Sequence, residues 1–86
     1  MNDTIELGGR YGYNHKLKHI GGNYWRIELD PKSTGTYRVI GYEGDYQIGK
    51  NCKAFDPEGG PFLSVGSKIG DKTIKSIYTD GVFELE

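Results

Sequence analysis

The chain has 86 residues, a formal net charge of −1 at neutral pH and a hydrophobic fraction of 35% that includes seven tyrosines. This aromatic content and the nearly balanced charge exclude an intrinsically disordered chain. No apolar run approaches the roughly 20 residues that a transmembrane helix requires. The core must be thin, because a chain this short buries only roughly 60–65% of the surface of its unfolded form. We therefore expect a single domain over residues 1–86.

Residues 1–22 open the chain and allow two interpretations. The run "LGGRYGYN" predicts either an edge strand or an arm that docks on a neighbouring subunit. The first residues, "MNDTIELGG", have neither the basic nor the apolar region of a secretory signal. Together with the single cysteine, which rules out an internal disulfide, this start predicts a cytoplasmic protein.

Alternating side chains appear next, in two neighbouring runs. In "NYWRIELD", Trp25 and Ile27 share one face of a strand while Tyr24 points to the other. The run "TYRVIGY", which ends at Tyr42, alternates in the same way. Between them, residues 31–35 read "PKSTG", a turn sequence that begins with proline and ends with glycine. The two runs are therefore predicted to form an antiparallel hairpin.

Residues 58–69, "EGGPFLSVGSKI", raise the question of a phosphate-binding loop. Gly60 and Gly66 are separated by five residues rather than the four of a P-loop, and Ser-Lys follows in place of Lys-Ser. The sequence beyond is β-like, so no helix N-terminus is expected to hold a phosphate. We interpret the run as a turn, a short strand over residues 62–65 and a further turn.

The C-terminal run "KTIKSIYTDGVFELE" carries the strongest local signal. Asp80 and Gly81 lie between two β-rich segments, and Asp-Gly favours a hairpin with a type I′ turn. Ile74 and Ile77 are three residues apart, which breaks strict alternation. A bulge near residues 75–76 would direct both side chains to the core. A short helical turn is the alternative interpretation.

The runs together predict an all-β domain of seven to nine short strands with glycine-rich turns. Two architectures fit strands of this length and spacing: a small antiparallel barrel and a compact two-layer sandwich. Cys52, which has no cysteine partner, is predicted to be a small buried side chain.

The window of residues 7–27 is the candidate binding segment, because it holds four basic residues and no acidic one. Flat rings interleaved with positive charge can stack a base and hold a phosphate. In the competing interpretation, the aromatic residues line the core and the basic ones solubilise the edge. Only one of two strand neighbours can face a ligand, so Tyr24 and Trp25 are alternatives. The candidate ligand-binding residues are Arg10, Tyr11, Tyr13, Lys16, Lys18, His19, Tyr24, Trp25 and Arg26.

Metal and catalytic sites are not predicted. His15 and His19 would share a helical face and could bind zinc, but the segment favours a helix of one or two turns at most and has no third ligand nearby. No serine lies in a nucleophile-elbow context, and neither histidine is beside a carboxylate in sequence. Asp56 and Glu58 flank a proline and read as solvated loop acids. We therefore expect no enzyme, no metal and no cofactor.

The C-terminal run "DPEGGPFLSVGSKIGDKTIKSIYTDGVFELE" resembles small accessory β proteins encoded by bacteriophages and other mobile elements. The resemblance covers the last third of the chain and lies in its general sequence character, without a diagnostic motif. It implies a role in countering host defence. Such a protein would sequester a nucleotide signal of host immunity or block a host protein.

Three functional hypotheses follow. The first is a non-enzymatic homo-oligomer that captures a small anionic, nucleotide-like ligand. The second is a protein-interaction module that inhibits a host or partner protein through exposed aromatic residues and an open strand edge. The third is an OB- or SH3-like binder of single-stranded nucleic acid, which the net negative charge disfavours. No membrane partner is expected.

Overall fold

The computed structural model describes residues 3–41 and 50–86, and these residues form an all-β structure without a helix. Tyr42, which the alternation pattern assigned to a strand, lies outside the described residues. The strands of the described ranges are β1 Thr4–Gly8, β2 His15–Gly21, β3 Tyr24–Glu28, β4 Tyr37–Ile40, β5 Asn51–Cys52, β6 Ala54–Pro57, β7 Leu63–Ser64, β8 Lys68–Ile69, β9 Lys72–Tyr78 and β10 Val82–Leu85.

The larger of two antiparallel sheets has the strand order β1-β2-β3-β10-β9-β5, and β8 pairs with β9 beside this path. Strand β1 is its first edge. The run of residues 7–14 contributes the end of β1 and then forms the loop that leads to β2, so the choice between an edge strand and a docking arm for this run stays a prediction. Alternation places Leu17 and Trp25 in the core. Lys18 and Arg26, which are direct partners in the pairing of β2 with β3, are exposed on the opposite face.

The smaller sheet has the order β4-β6-β7 and packs on the larger one through aromatic rings. The ring of Phe55 stacks on Tyr37 with centroids 4.5 Å apart, and its edge meets Phe83 of the larger sheet at 5.3 Å. Phe55 and Phe83 are both fully buried. The all-β prediction is confirmed. In the described residues the sheets do not close into a barrel, which leaves the two-layer alternative.

The chain passes between the sheets at Lys53, which separates β5 in the larger sheet from β6 in the smaller one. Its backbone amide donates to the carbonyl oxygen of Ile40 at 2.8 Å, and its carbonyl oxygen accepts from Val65 at 3.0 Å. Strands that bend from one sheet into the next form the corners of packed sheets. Cys52, next to this corner, is a free, buried cysteine as predicted, and burial raises the pKa of its thiol.

The predicted hairpin around residues 31–35 is wrong. Strand β3 pairs with β2 and β10, whereas β4 pairs with β6 in the other sheet. The turn itself exists, since the Ser33 amide donates to the carbonyl oxygen of Asp30 at 3.0 Å, but it carries the chain from one sheet to the other. Alternation identifies a strand and its faces. It does not identify the partner, which the packing of the two layers decides.

The C-terminal hairpin is confirmed, but its turn differs from the predicted type I′. Residues 79–81 form a three-residue loop, in which the amide of Gly81 donates to the carbonyl oxygen of Tyr78 at 3.0 Å. Gly81 has a positive φ of 92° and Asp80 does not, whereas type I′ needs positive φ at both central residues. The loop therefore matches a tight turn closed by a left-handed glycine. A Cβ on Gly81 would lie 2.7 Å from Cγ2 of Ile27.

The bulge predicted near residues 75–76 is present. In the pairing of β9 with β10, Glu84 opposes Ser76 and Leu85 opposes Ile74, so Lys75 is the extra residue. Ile74 and Ile77 are consequently both buried in the core. The bulge, rather than a helical turn, resolves their three-residue spacing.

The glycine-rich run of residues 58–69 forms turns and short strands. The strand predicted over residues 62–65 is shorter, Leu63–Ser64, and part of the predicted second turn forms β8, Lys68–Ile69. Within the described ranges, no helix is long and apolar enough to cross a membrane.

Candidate ligand-binding cleft

An open cleft of about 410 Å³ lies where the loop after β1 meets the smaller sheet. The loop contributes Arg10, the smaller sheet contributes β4 and the end of β6, and the turn after β6 completes the wall. The lining residues include Arg10, Thr36, Arg38, Asp56, Glu58 and Gly59.

A tight turn presents Arg10 to the cleft. The amide of Tyr13 donates to the carbonyl oxygen of Arg10 at 3.0 Å, and Tyr11 and Gly12 between them have φ angles of 59° and 77°. Two central residues with positive φ define a type I′ turn. Glycine adopts this conformation freely, but a residue with a Cβ pays about 1–2 kcal/mol. Tyr11 is the only described non-glycine residue with a positive φ, and its side chain is 84% exposed.

Two glycines let this turn approach the smaller sheet. A Cβ on Gly59 would lie 2.6 Å from Cδ2 of Tyr13, and one on Gly60 would lie 2.5 Å from Cδ2 of His15. These distances are shorter than any ordinary carbon contact, so both positions need glycine. The glycine pair therefore allows a close approach between two backbone segments, in agreement with its interpretation as a turn.

His15 joins three segments beneath the cleft and is fully buried. Its Nδ1 accepts a hydrogen bond from the amide of Asp30 at 2.9 Å, and its Nε2 lies 2.9 Å from the carbonyl oxygen of Glu58. A backbone amide can only donate and a carbonyl can only accept, so the ring is neutral with its proton on Nε2. Both ring nitrogens are thus occupied by backbone groups.

Two carboxylates, Asp30 and Glu58, accept hydrogen bonds in the same region. Hydrogen bonds from the amides of Lys32 and Asn14 lower the pKa of Asp30, and burial opposes them. The amide and the hydroxyl of Thr34 donate to Glu58 Oε2 at 3.0 and 2.9 Å and lower its pKa below the ordinary value. Both groups are accordingly ionised at neutral pH, and Glu58 is a fixed negative charge on the cleft wall.

Among the described residues, Arg10 is the cationic side chain of the cleft that forms no ion pair. Arg38 binds Asp56 through Nη2 and Oδ2 at 3.1 Å, and the other ion pair among the described residues is Lys75 with Glu84 at 3.6 Å. Arginine presents five N–H donors in a planar fork that matches carboxylate and phosphate groups. The charge that remains available for a ligand is therefore that of Arg10.

The structure divides the nine predicted site residues among three places. Arg10 lines the cleft, and the rings of Tyr11 and Tyr13 both lie near Gly59 in its wall. Trp25 is buried in the core with the His19 ring 4.9 Å away, and His19 Nε2 donates to the carbonyl oxygen of Gly22. The outer face of the larger sheet holds the other four, Lys16, Lys18, Tyr24 and Arg26.

Sequence reasoning missed the smaller sheet's contribution to the cleft. Thr36, Arg38 and Asp56 lie far along the chain from the basic window, and nothing local marks them as its neighbours. Glu58 and Asp56 were interpreted as solvated loop acids, although they line the cleft. The available signal was the glycine pair after Glu58, because adjacent glycines between strands often permit a close backbone approach.

A second open cavity of about 240 Å³ adjoins the first. It shares Arg10 and Gly60 with the cleft, and its remaining lining includes Leu7, Pro61 and Phe62. Phe62 is 58% exposed, so much of its ring faces solvent at this cavity.

The described residues contain no group of three or more histidine, cysteine, aspartate or glutamate side chains that could hold a metal ion. The fold and cleft define an all-β protein of two antiparallel sheets with an open cleft between the loop after β1 and the smaller sheet. In comparisons with known proteins, no family model matches the chain, and no curated protein or solved structure is significantly similar to it.

Proposed function

We propose that the protein is a non-enzymatic binding protein that captures a small anionic, nucleotide-like ligand in the cleft. The observation that carries this proposal is the position of Arg10, an unpaired cation in the wall of a cavity of about 410 Å³. Pockets for small molecules have volumes of about 300–1,000 Å³, so the cleft has room for a nucleotide.

The chemistry of the lining fits the parts of such a ligand. Arg10 would hold a phosphate through its guanidinium fork. Arg38 uses one nitrogen on Asp56 and keeps other donors. The Thr36 hydroxyl and the Asp56 carboxylate provide hydrogen-bonding groups for a sugar or base edge. The exposed Tyr11 ring beside Arg10 would stack on a base, and the strain in its backbone is typical of functional loops.

The hydroxyls and the buried histidine that the structure describes support a binding role rather than catalysis. Ser64 and Ser67 hydrogen-bond to each other at 2.7 Å, and the Ser33 hydroxyl donates to a backbone carbonyl. His15, the buried histidine near the cleft, has both ring nitrogens on backbone groups and cannot serve as a base without losing one of them.

Titration calorimetry with AMP tests the proposal on a pair of charge reversals. Arg10→Glu should abolish binding, while Arg26→Glu, at an exposed site on the outer sheet face, should leave the affinity within about twofold. If Arg10→Glu kept the affinity within about twofold, the cleft would not be the binding site. If Arg26→Glu alone weakened binding, and steeply with salt, the nucleic-acid hypothesis would replace this one.

The biological setting that we propose rests on the resemblance to phage-encoded accessory proteins. The ligand would be a nucleotide signal of host immunity, sequestered in the cytoplasm by a homo-oligomer. Native mass spectrometry of the protein purified from cells measures both the number of subunits and the mass of any ligand that stays bound. A discrete oligomer that loses a sub-kilodalton mass on unfolding is the expected result.

A second candidate function is a protein-interaction module, and the edge of the smaller sheet favours it. Strand β7 is an edge strand, and the exposed Phe62 and Val65 flank it. A partner strand could pair with this edge and cover both side chains. Replacing both with aspartate should then abolish co-purification of a partner protein, whereas Arg10→Glu should not.

A further inference from the structure

The cleft and the second cavity meet at Arg10 and Gly60, which line both. At about 240 Å³, the second cavity is smaller than the usual range for a small-molecule pocket of about 300–1,000 Å³. It is large enough for one flat ring system but not for a separate ligand of ordinary size. Because Arg10 and Gly60 line both cavities, a single ligand held at Arg10 can extend into each of them.

The two cavities differ in the side chains that they offer. The larger cavity has the polar groups of Thr36, Arg38 and Asp56 beside the apolar surfaces of Tyr37 and Pro57. The smaller cavity has the apolar side chains of Leu7, Pro61 and Phe62 beside Arg10. A ring stacked on Phe62 would cover apolar surface that now faces solvent, and base stacking on aromatic rings tolerates any base.

The charges of the lining favour a ligand with few negative charges. Asp56 neutralises Arg38, and the charges of Arg10 and Glu58, neither of which forms an ion pair among the described residues, are opposite, so the four ionised side chains sum to about zero. Arg10 can match one negative charge, and each further charge on a ligand is repelled by Glu58 without a second free cation to offset it. A phosphate monoester carries about −1.5 to −2 at neutral pH and a triphosphate carries more, whereas a phosphodiester carries one negative charge.

From these observations, and resting on the proposed function, we infer that the ligand is a dinucleotide. Its phosphodiester lies at Arg10, one base enters the larger cavity beside Thr36 with the ring of Tyr11 stacked on it, and the other base stacks on Phe62 in the smaller cavity.

The test compares ApA, AMP and ATP as probes in titration calorimetry with the full chain. ApA should bind at least about fivefold more tightly than AMP, because a second stacked base adds about 1–3 kcal/mol, and ATP should bind most weakly. Phe62→Ala should weaken ApA binding by about 5- to 100-fold and leave AMP within about twofold. Val65→Ala, also at an exposed apolar position but outside both cavities, is the matched control and should change neither affinity.

Three outcomes would overturn the inference. ATP could bind most tightly, or AMP could bind as tightly as ApA in a manner that depends on Arg10. An oligoadenylate of six nucleotides could also bind more tightly than ApA by a factor much larger than the number of adjacent nucleotide pairs that it contains. The first two leave the proposed function in place, because a mononucleotide still binds at Arg10. Absence of binding by all three probes would overturn the proposed function as well.

Discussion

The backbone amide of Arg10 donates a hydrogen bond to the carbonyl oxygen of Gly59 and so joins the loop after β1 to the turn after β6. Both residues line the cleft. The contact brings Arg10, which forms no ion pair among the described residues, to the wall formed by the smaller sheet. Without it, Arg38 with its Asp56 partner would be the cation that remains in the cleft, so substitutions at this junction should affect structure and binding together.

The first prediction concerns Gly59 itself. Gly59→Ala should lower the free energy of unfolding by about 2–4 kcal/mol, since it adds both a left-handed Cβ and a clash with the Tyr13 ring. Gly12→Ala is the matched control, because Gly12 also has a positive φ but has open space around it. Gly12→Ala should lower the free energy of unfolding only by the cost of a left-handed Cβ, about 1–2 kcal/mol. Equal losses in urea titrations would contradict the close packing of Tyr13 on Gly59.

The second prediction separates stability from binding at Tyr11. Asparagine tolerates the left-handed conformation better than tyrosine does, and the tyrosine ring is 84% exposed. Tyr11→Asn should therefore leave stability unchanged or raise it by up to about 1 kcal/mol. It should also weaken AMP binding by about fivefold or more, because the stacking ring is lost. A variant that loses stability, or binds as tightly as wild type, would argue against a strained ligand-contacting tyrosine.

A third prediction concerns the hydrogen bonds of His15. His15→Phe keeps an aromatic ring at this position but leaves the amide of Asp30 and the carbonyl oxygen of Glu58 without partners. The expected loss is about 2–4 kcal/mol in the free energy of unfolding. His19→Phe removes one bond, to Gly22, from a half-buried side chain and should cost less than about 1 kcal/mol.

NMR of the imidazole nitrogens checks the same network directly. The spectrum should show His15 as a neutral ring protonated on Nε2. A ring protonated on Nδ1 would contradict the acceptor role assigned to that nitrogen.

A fourth prediction follows from the lowered pKa values of Asp30 and Glu58. Each pKa is depressed in the folded state, so the stability it contributes is fully present above the unfolded values of 3.8 and 4.5. That stability is lost as the pH falls through the lower folded-state values. Stability should therefore be flat near neutrality and decline under acid conditions.

The role of Thr34 can be tested by Thr34→Val, which removes the hydroxyl that donates to Glu58. Glu58 accepts hydrogen bonds from both the amide and the hydroxyl of Thr34, and the variant keeps only the bond from the amide. The pKa of Glu58 should therefore rise towards its ordinary value. Carbon-detected NMR titration of the Glu58 carboxyl reads this change. Ser33→Ala is the control, since its hydroxyl bonds to the carbonyl oxygen of Asp30 and not to a carboxylate.

What the sequence determined by itself is local. The alternation around Trp25 predicted that Trp25 and Tyr24 would face opposite ways, and Trp25 is buried while Tyr24 is exposed. The spacing of Ile74 and Ile77 predicted a bulge for the same reason, because a strand has a period of two and both residues must reach the core. The glycine pair before Pro61 was interpreted correctly as a turn. Each of these conclusions depends on residues within a few positions of one another.

The tertiary structure alone decided how the strands and the cleft are assembled. Strand β3 pairs with β10 rather than β4, because Phe55 and Phe83 pack the two sheets face to face and β4 belongs to the other layer. Arg10 was among the predicted site residues, but its neighbours Arg38 and Asp56 were not. Their proximity comes from contacts between segments far apart in the chain. Such contacts depend on the packing of the whole core, and no local period or spacing encodes them.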